Sequence, residues 1–261
     1  VETTDIVADL AAEHDALDEI LDPLDADDWA RPTSSPGWTV ADQVGHLAYY
    51  DRTATTAMTD PDAFVEHLNE VMEVMAGGLP ALDDWSLAAY RRMAPTELLT
   101  AWREGRWALI DAAGSVEPGA RIPWYGPPMG PASFLTARLM ETWAHGQDVA
   151  EALGVRREPT SRLAHVAHLG VRTRPWSYMN RGLMPPADPV AVRLVAPDGG
   201  TWLLGDVDAD EYVAGSAEDF CLVVTQRRRL DETALETTPL AREWLNIAQA
   251  FAGPPTDTTR A

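Results

Sequence analysis

The chain has a single cysteine, Cys221. That excludes an internal disulfide and leads to the expectation of a reducing, cytoplasmic setting. Cys221 sits in the apolar run Phe220-Cys221-Leu222-Val223-Val224. It reads as a buried small hydrophobe, because a reactive thiolate needs an electropositive, partly open environment. Long apolar runs are missing too. None approaches the roughly 20 residues of a membrane span, so no membrane association is expected. The acidic start, Val1-Glu2-Thr3-Thr4-Asp5, lacks the basic-then-apolar pattern of a signal peptide. The absence of an initiator Met suggests a processed or trimmed start. Positive charge is scarce: 20 Lys and Arg against 41 Asp and Glu give a formal net charge of -21. Such a field repels a phosphate backbone. The dense basic runs are short, Arg91-Arg92, Arg156-Arg157 and Arg227-Arg228-Arg229. No nucleic-acid partner is expected, and a small-molecule substrate is. The sequence does not set the oligomeric state.

Apolar residues are plentiful, at 46% of 261 positions, so a sizeable core can form. Helical periodicity predicts helices over about 4–22, 40–58, 62–76, 95–114, 131–153 and 161–178. Thr39 reads as an N-cap, with Asp42 completing an acidic capping box. The linker from Ile122 to Gly130 is broken by prolines and glycines and cannot be helical. After Pro185-Pro186 the texture changes. Residues 190–195 and 201–204, around the turn Asp198-Gly199-Gly200, predict a hairpin, and 212–214 a further short strand. Helices from Ser216 to about Arg228 and from Pro239 to Phe251 close the chain. The reading is α+β: helices first, then a small α/β part.

The helix over 131–153 carries the chemistry. Phe134, Arg138, Glu141, His145 and Asp148 share one face. Most of the rest is apolar, so the helix is buried and its polar stripe must face something polar inside. Glu141 and His145, at i and i+4, can put a carboxylate and an imidazole on one ion. A catalytic site commonly adds a third protein ligand and keeps a position open. That ligand must come from another helix, and the helix over 40–58 offers His46. A His/Glu/His set suits zinc first, and also nickel, iron, cobalt or manganese. On residue pattern alone the pair is far more often an ordinary exposed or salt-bridged one.

Two segments carry a resemblance. Residues 36–47, from Pro36-Gly37-Trp38-Thr39-Val40 through Asp42 to His46-Leu47, resemble the PGWTV-x-D-x-x-x-H-L segment of the mycothiol-dependent maleylpyruvate isomerase family. That family belongs to the broader DinB-like metalloprotein group. Residues 138–148, with Arg138, Glu141, His145 and Asp148, resemble its second signature, R-x-x-E-x-x-x-H-x-x-D. Ser216 through Arg227 is similar to the helix closing the family's sterol-carrier-like domain. The likeness covers roughly residues 5–250. It implies a DinB-like four-helix bundle over 1–158 and, over 159–256, a helix plus a small α/β domain that closes over the bundle's ion. It implies a divalent metal, zinc first, on His46, Glu141 and His145. Catalytic roles follow for Asp148, which would orient a ligand or move a proton, and for Arg227, which would hold an anionic substrate. The register of Arg227 against Arg228 and Arg229 is open. His14, His67, His165 and His168 have no partner pattern, and the pair His165 and His168 reads as surface.

The expected reaction is thiol-dependent, with mycothiol as the candidate thiol, and is an isomerisation or S-transfer on a small electrophilic or carboxylate substrate. Two alternatives stand beside it. One is a thiol-independent, metal-dependent hydrolase, cyclase or isomerase, and the other is a non-enzymatic metal- or ligand-binding module.

Overall fold

The computed structural model describes residues 3–256. In chain order its first part contains α1 (Thr3–Leu21), α2 (Ala26–Trp29), α3 (Val40–Thr59), α4 (Pro61–Met75), α5 (Leu79–Leu87), α6 (Pro95–Ser115) and α7 (Pro131–Leu153). Side chains and prolines set the helix starts. Thr39 and Asp42 cap α3 reciprocally, and Asp60 caps α4 at Ala63 N. Pro61, Pro95 and Pro131 occupy first turns, where a missing N–H costs nothing. Gly154, in the left-handed region at φ 69°, ends α7.

Four of these helices form a bundle. α3 packs on α6 and α7, and α1 packs on α6 and α7, which closes a ring. Leu17, Leu21, Val44, Leu47, Trp102 and Val149 meet in its core. Burying each large side chain contributes about 1.5–3 kcal/mol. α4 and α5 lean on α3 from outside the ring. Gly45 lets Tyr90 approach α3, because a Cβ there would lie 3.0 Å from the Tyr90 Cβ. A chain division falls between Arg156 and Arg157.

The second unit holds α8 (Leu163–Arg172), α9 (Arg174–Met179), β1 (Ala191–Val195), β2 (Thr201–Gly205), β3 (Tyr212–Ser216), α10 (Ala217–Val224), β4 (Glu236–Thr237) and α11 (Pro239–Asn246). Its sheet runs β2-β1-β3-β4. β1 and β2 form the expected antiparallel hairpin, with Val192 opposite Leu204. β1 and β3 are parallel, and β3 and β4 antiparallel. α8 and α10 pack together against the strands and bury Cys221, whose Sγ donates to the Leu163 carbonyl at 3.5 Å. Burial pushes that thiol well up, so it stays protonated. Among the described residues no helix is long and apolar enough to cross a membrane.

The elements differ from expectation in several places, including the short α2 and β4, which the periodicity does not predict. The helix expected over 161–178 is two, α8 and α9, because Pro175 removes a ladder N–H and starts a new first turn. α10 stops at Val224, not near Arg228: Gln226 turns to φ 59° and Arg227 N folds back to the Leu222 carbonyl at 2.7 Å. α11 stops at Asn246, not Phe251. α5 follows Gly77-Gly78, where the glycines end α4 but Pro80 starts another helix.

Candidate metal centre

α3 and α7 bring His46, Glu141 and His145 together. One ligand atom from each lies within 4.8 Å of the others. The imidazole centroids of His46 and His145 are 4.3 Å apart. His145 Nε2 lies 3.2 Å from Glu141 Oε2. His145 is buried, and Glu141 keeps 23% of its side chain exposed, so the cluster has an outer side.

The tautomer of His145 follows from its neighbours. Its Nδ1 lies 2.5 Å from Gln43 Oε1. The Gln43 amide nitrogen donates to Thr33 Oγ1 at 2.9 Å and to Ser35 Oγ at 3.0 Å, which fixes the amide's orientation. Oε1 can only accept, so Nδ1 carries the proton. In the neutral ring Nε2 then presents its lone pair to a carboxylate oxygen. Two acceptors at this distance repel unless a cation joins them, and that cation is either a proton on the ring or a metal ion. The donor set therefore fits a divalent ion of the zinc type, with an outer-shell partner of the kind that orients ligand histidines. Burial alone would raise the Glu141 pKa. With a proton on His145 Nε2 as the joining cation, its hydrogen bond and charge, together with the charges of His46 and Arg138, outweigh burial and hold the acid at about 2. It is anionic at neutral pH, as a ligand must be.

The loop before α3 explains its motif. Pro36 and Gly37, the latter at φ 79°, turn the chain so that Thr33 N donates to the Trp38 carbonyl at 2.8 Å. Trp38 then lies against His46, at 5.1 Å between centroids, and stacks over His145 at 6.1 Å. Asp42 is braced by Arg91 at 2.7 Å, which with the Thr39 bonds holds its pKa down against burial. Pro36 and Gly37 thus make the turn, Trp38 the ring contact, and Thr39 with Asp42 the cap of the helix that carries the candidate ligand His46.

Asp148 is fully buried, with Oδ2 4.0 Å from His145 Nδ1, and Ser34 Oγ donates to its other oxygen at 3.3 Å. It lies on the Nδ1 edge of His145, away from the atom facing Glu141. Arg227 belongs to the second unit. It is half-buried after α10, and its Nη1 donates to the Thr225 carbonyl at 2.8 Å. Arg228 is also half-buried, whereas exposed Arg229 pairs with Asp231 at 2.8 Å.

A family model for the mycothiol maleylpyruvate isomerase N-terminal domain matches residues 10–150, more than half the chain. The chain belongs to that family. Two uncharacterized proteins, from two strains of Mycobacterium tuberculosis, are each 50% identical over 250 residues, covering 95% of this chain and 96% of the relative. The crystal structure of the mycothiol-dependent maleylpyruvate isomerase superposes with TM-score 0.58 at 14% identity, over 87% of this chain and 90% of the other. A histidine-to-alanine mutant of that enzyme gives 0.58 at 13% identity over the same shares. The α+β fold is shared with the isomerase.

Several residues at this centre are not marked by the sequence. Thr33, Ser34 and Ser35 lie in an irregular loop with no period to read, and Gln43, which the sequence places on the His46 face, meets His145 across 102 positions. Gln43→Ala is expected to weaken metal binding about 10- to 100-fold, the usual cost of losing an outer-shell partner. Chelator competition checks this, and an affinity unchanged within twofold would show that Gln43 does not orient His145.

Two histidines away from this centre are more deeply placed than the sequence suggests. His165, expected at the surface, is buried in the second unit. His14 is fully buried in the bundle, with Nε2 3.7 Å from Asp51 Oδ2. Burial lowers its pKa to about 4, against the raising effect of Asp51. The unfolded chain therefore takes a proton near pH 6.5 that the native protein refuses until about pH 4. Stability is full above that upper value and falls as pH drops through the window, by up to about 3 kcal/mol. Urea denaturation of His14→Phe should show a flatter stability curve across the same window. An unchanged slope would assign the acid lability to other groups.

Proposed function

We propose that the chain is a divalent-metal-dependent enzyme that uses a small thiol, mycothiol by family, for isomerisation or S-transfer on a small electrophilic or carboxylate substrate. The observation that carries this reading is the convergence of His46, Glu141 and His145, with His145 Nε2 3.2 Å from the Glu141 carboxylate. His46, Glu141 and His145 would hold the ion. When bound, a divalent ion supplies Lewis acidity that lowers the pKa of a thiol or water at its open position.

The remaining work falls to this chain's own residues. Gln43 keeps the His145 proton on Nδ1, and Asp148, on the same edge, acts as a positioning carboxylate more readily than as a proton carrier. Trp38 and Tyr50 flank the His46 ring and hold its orientation. The chain itself offers no sulfur nucleophile at the centre. Its one cysteine is buried in the second unit, and it has no lysine for imine chemistry. A nucleophile must therefore come from a co-substrate or from water, and family membership favours the thiol.

Calorimetry on zinc-loaded protein separates these two. The thiol reading expects saturable mycothiol binding that is lost when the metal is removed. No binding at millimolar thiol would leave the thiol-independent enzyme as the better reading.

A further inference from the structure

The His46 ring is the first of a connected set of aromatic rings on one side of the metal candidate. Tyr50 lies 4.5 Å from it between centroids. Tyr50 in turn meets Trp124 at 6.3 Å and Tyr125 at 5.8 Å, both edge-on. Trp124 stacks on Phe64 of α4 at 5.6 Å. This wall draws on three elements: α3, α4 and the loop before α7. The loop is held at its base by a backbone bridge between Ile122 and Met129 and by Arg121 donating to the Pro128 carbonyl. Trp124 and Tyr125 lie inside that bridge, in irregular chain.

His67, on α4, ties the loop down. Its Nε2 lies 2.9 Å from Tyr125 Oη and 3.1 Å from Tyr49 Oη. One imidazole nitrogen thus sits between a phenol of the loop and a phenol of α3, which also interact with each other. In the Nδ1–H tautomer the nitrogen accepts a phenol proton, and in the other tautomer it donates one. Trp85 of α5 stacks on the same imidazole at 5.8 Å and 21°, and Phe64 flanks it at 6.1 Å. The charges nearest to His67 are Glu70 and Arg52, of opposite sign, and burial keeps the ring on the neutral side. Three helices and the loop therefore converge on one side chain that is not among the three ligands.

We propose that His67 is a positioning residue that sets the aromatic wall beside His46, and that this wall gives the metal centre a preference for planar, conjugated ligands over aliphatic ones. The proposal rests on the metal-centre reading above. Flat faces and polarised ring edges in the wall favour ring-on-ring contacts beyond simple area burial. The wall is built of neutral rings, so it selects for shape and conjugation, not for charge. His67 acts through Tyr125 and Trp124, and its loss loosens the wall without removing a ligand from the ion.

Cobalt-substituted protein gives a test with a spectroscopic readout. Binding of 2-mercaptopyridine, a planar aromatic thiol, and of 2-mercaptoethanol is followed by the thiolate-to-cobalt absorption band. The wild type is expected to favour the aromatic thiol. His67→Phe keeps the ring stack but loses the hydrogen bond shared by the two phenols, and should cut the aromatic-to-aliphatic affinity ratio at least ~5-fold. His67→Gln, which can still bond both phenols, should restore most of it. Tyr125→Phe removes a single hydroxyl and serves if His67→Phe fails to fold. A ratio unchanged in these variants, or an equal loss for both thiols, would overturn the proposal and leave His67 a structural residue. A wild type that binds no cobalt at all would instead bring down the metal-centre reading, and this proposal with it.

Discussion

His145→Ala is expected to take the protein from about one bound divalent ion per chain to almost none. His46→Ala and Glu141→Ala should do the same, while His165→Ala and His168→Ala keep the ion. Three protein donors is the usual number for an open site, and removing one leaves two donors on a strongly hydrated cation. His145 should be the most sensitive, because Gln43 and Asp148 both lie on its Nδ1 edge and hold the ring in place. The controls sit in the second unit, His165 buried and His168 exposed. Elemental analysis of each purified variant, with circular dichroism to verify folding, decides the matter. Equal metal retention across all five would show that the ligands lie elsewhere.

The second large effect concerns stability. Arg138 and Asp51 are almost fully buried, at 4% and 0% side-chain exposure, and Arg138 Nη2 donates to Asp51 Oδ1 at 2.8 Å. Asp51 Oδ2, Arg138 Nε and both His14 nitrogens have no hydrogen-bond partner among the described residues. The pair already carries unrecovered desolvation, so it is a poor source of net stability compared with an apolar pair. Breaking it is another matter. Arg138→Ala leaves the Asp51 carboxylate buried beside a neutral imidazole, and a loss of about 3–5 kcal/mol is expected. Asp51→Ala, which strands the guanidinium, should cost a similar amount. The double replacement Arg138→Met with Asp51→Leu should recover most of the loss. Urea denaturation of the metal-free protein measures all three, with an unchanged m-value as the check on two-state behaviour. A loss below about 1 kcal/mol in either single variant would mean that water reaches the pair. Arg138 also lies one turn before Glu141 and adds to the positive field on it, so the double variant separates stability from metal affinity.

Sequence and structure agree where the signal is periodic. α7 is readable because it is apolar on most sides, which forces Arg138, Glu141, His145 and Asp148 inward, and the structure buries all but Glu141 deeply. The cap at Thr39 follows from local chemistry and stands where expected, and the helix expected from Ser216 is capped by that side chain. His46 is one of several possible partners on residue pattern alone, and only the motif around it, carried by the family likeness, distinguishes it. The break at Thr173 is hidden because the apolar period runs on through Pro175. The Tyr49, His67 and Tyr125 junction joins positions 18 and 58 residues apart and leaves no trace along the chain. The same holds for Gln43 and His145, 102 positions apart. Contacts set by tertiary packing between irregular segments have no period, and no single-residue preference marks them.

The most direct measurement on the central claim is X-ray absorption at the zinc edge of the reconstituted wild-type protein. The predicted spectrum shows one ion per chain with two imidazole nitrogens and a carboxylate oxygen at about 2.0–2.2 Å, plus one exchangeable light ligand. Adding mycothiol should replace that light ligand with sulfur at about 2.3 Å. Protein that takes up no zinc, or zinc whose shell contains fewer than two imidazoles, would contradict the site built on His46, Glu141 and His145.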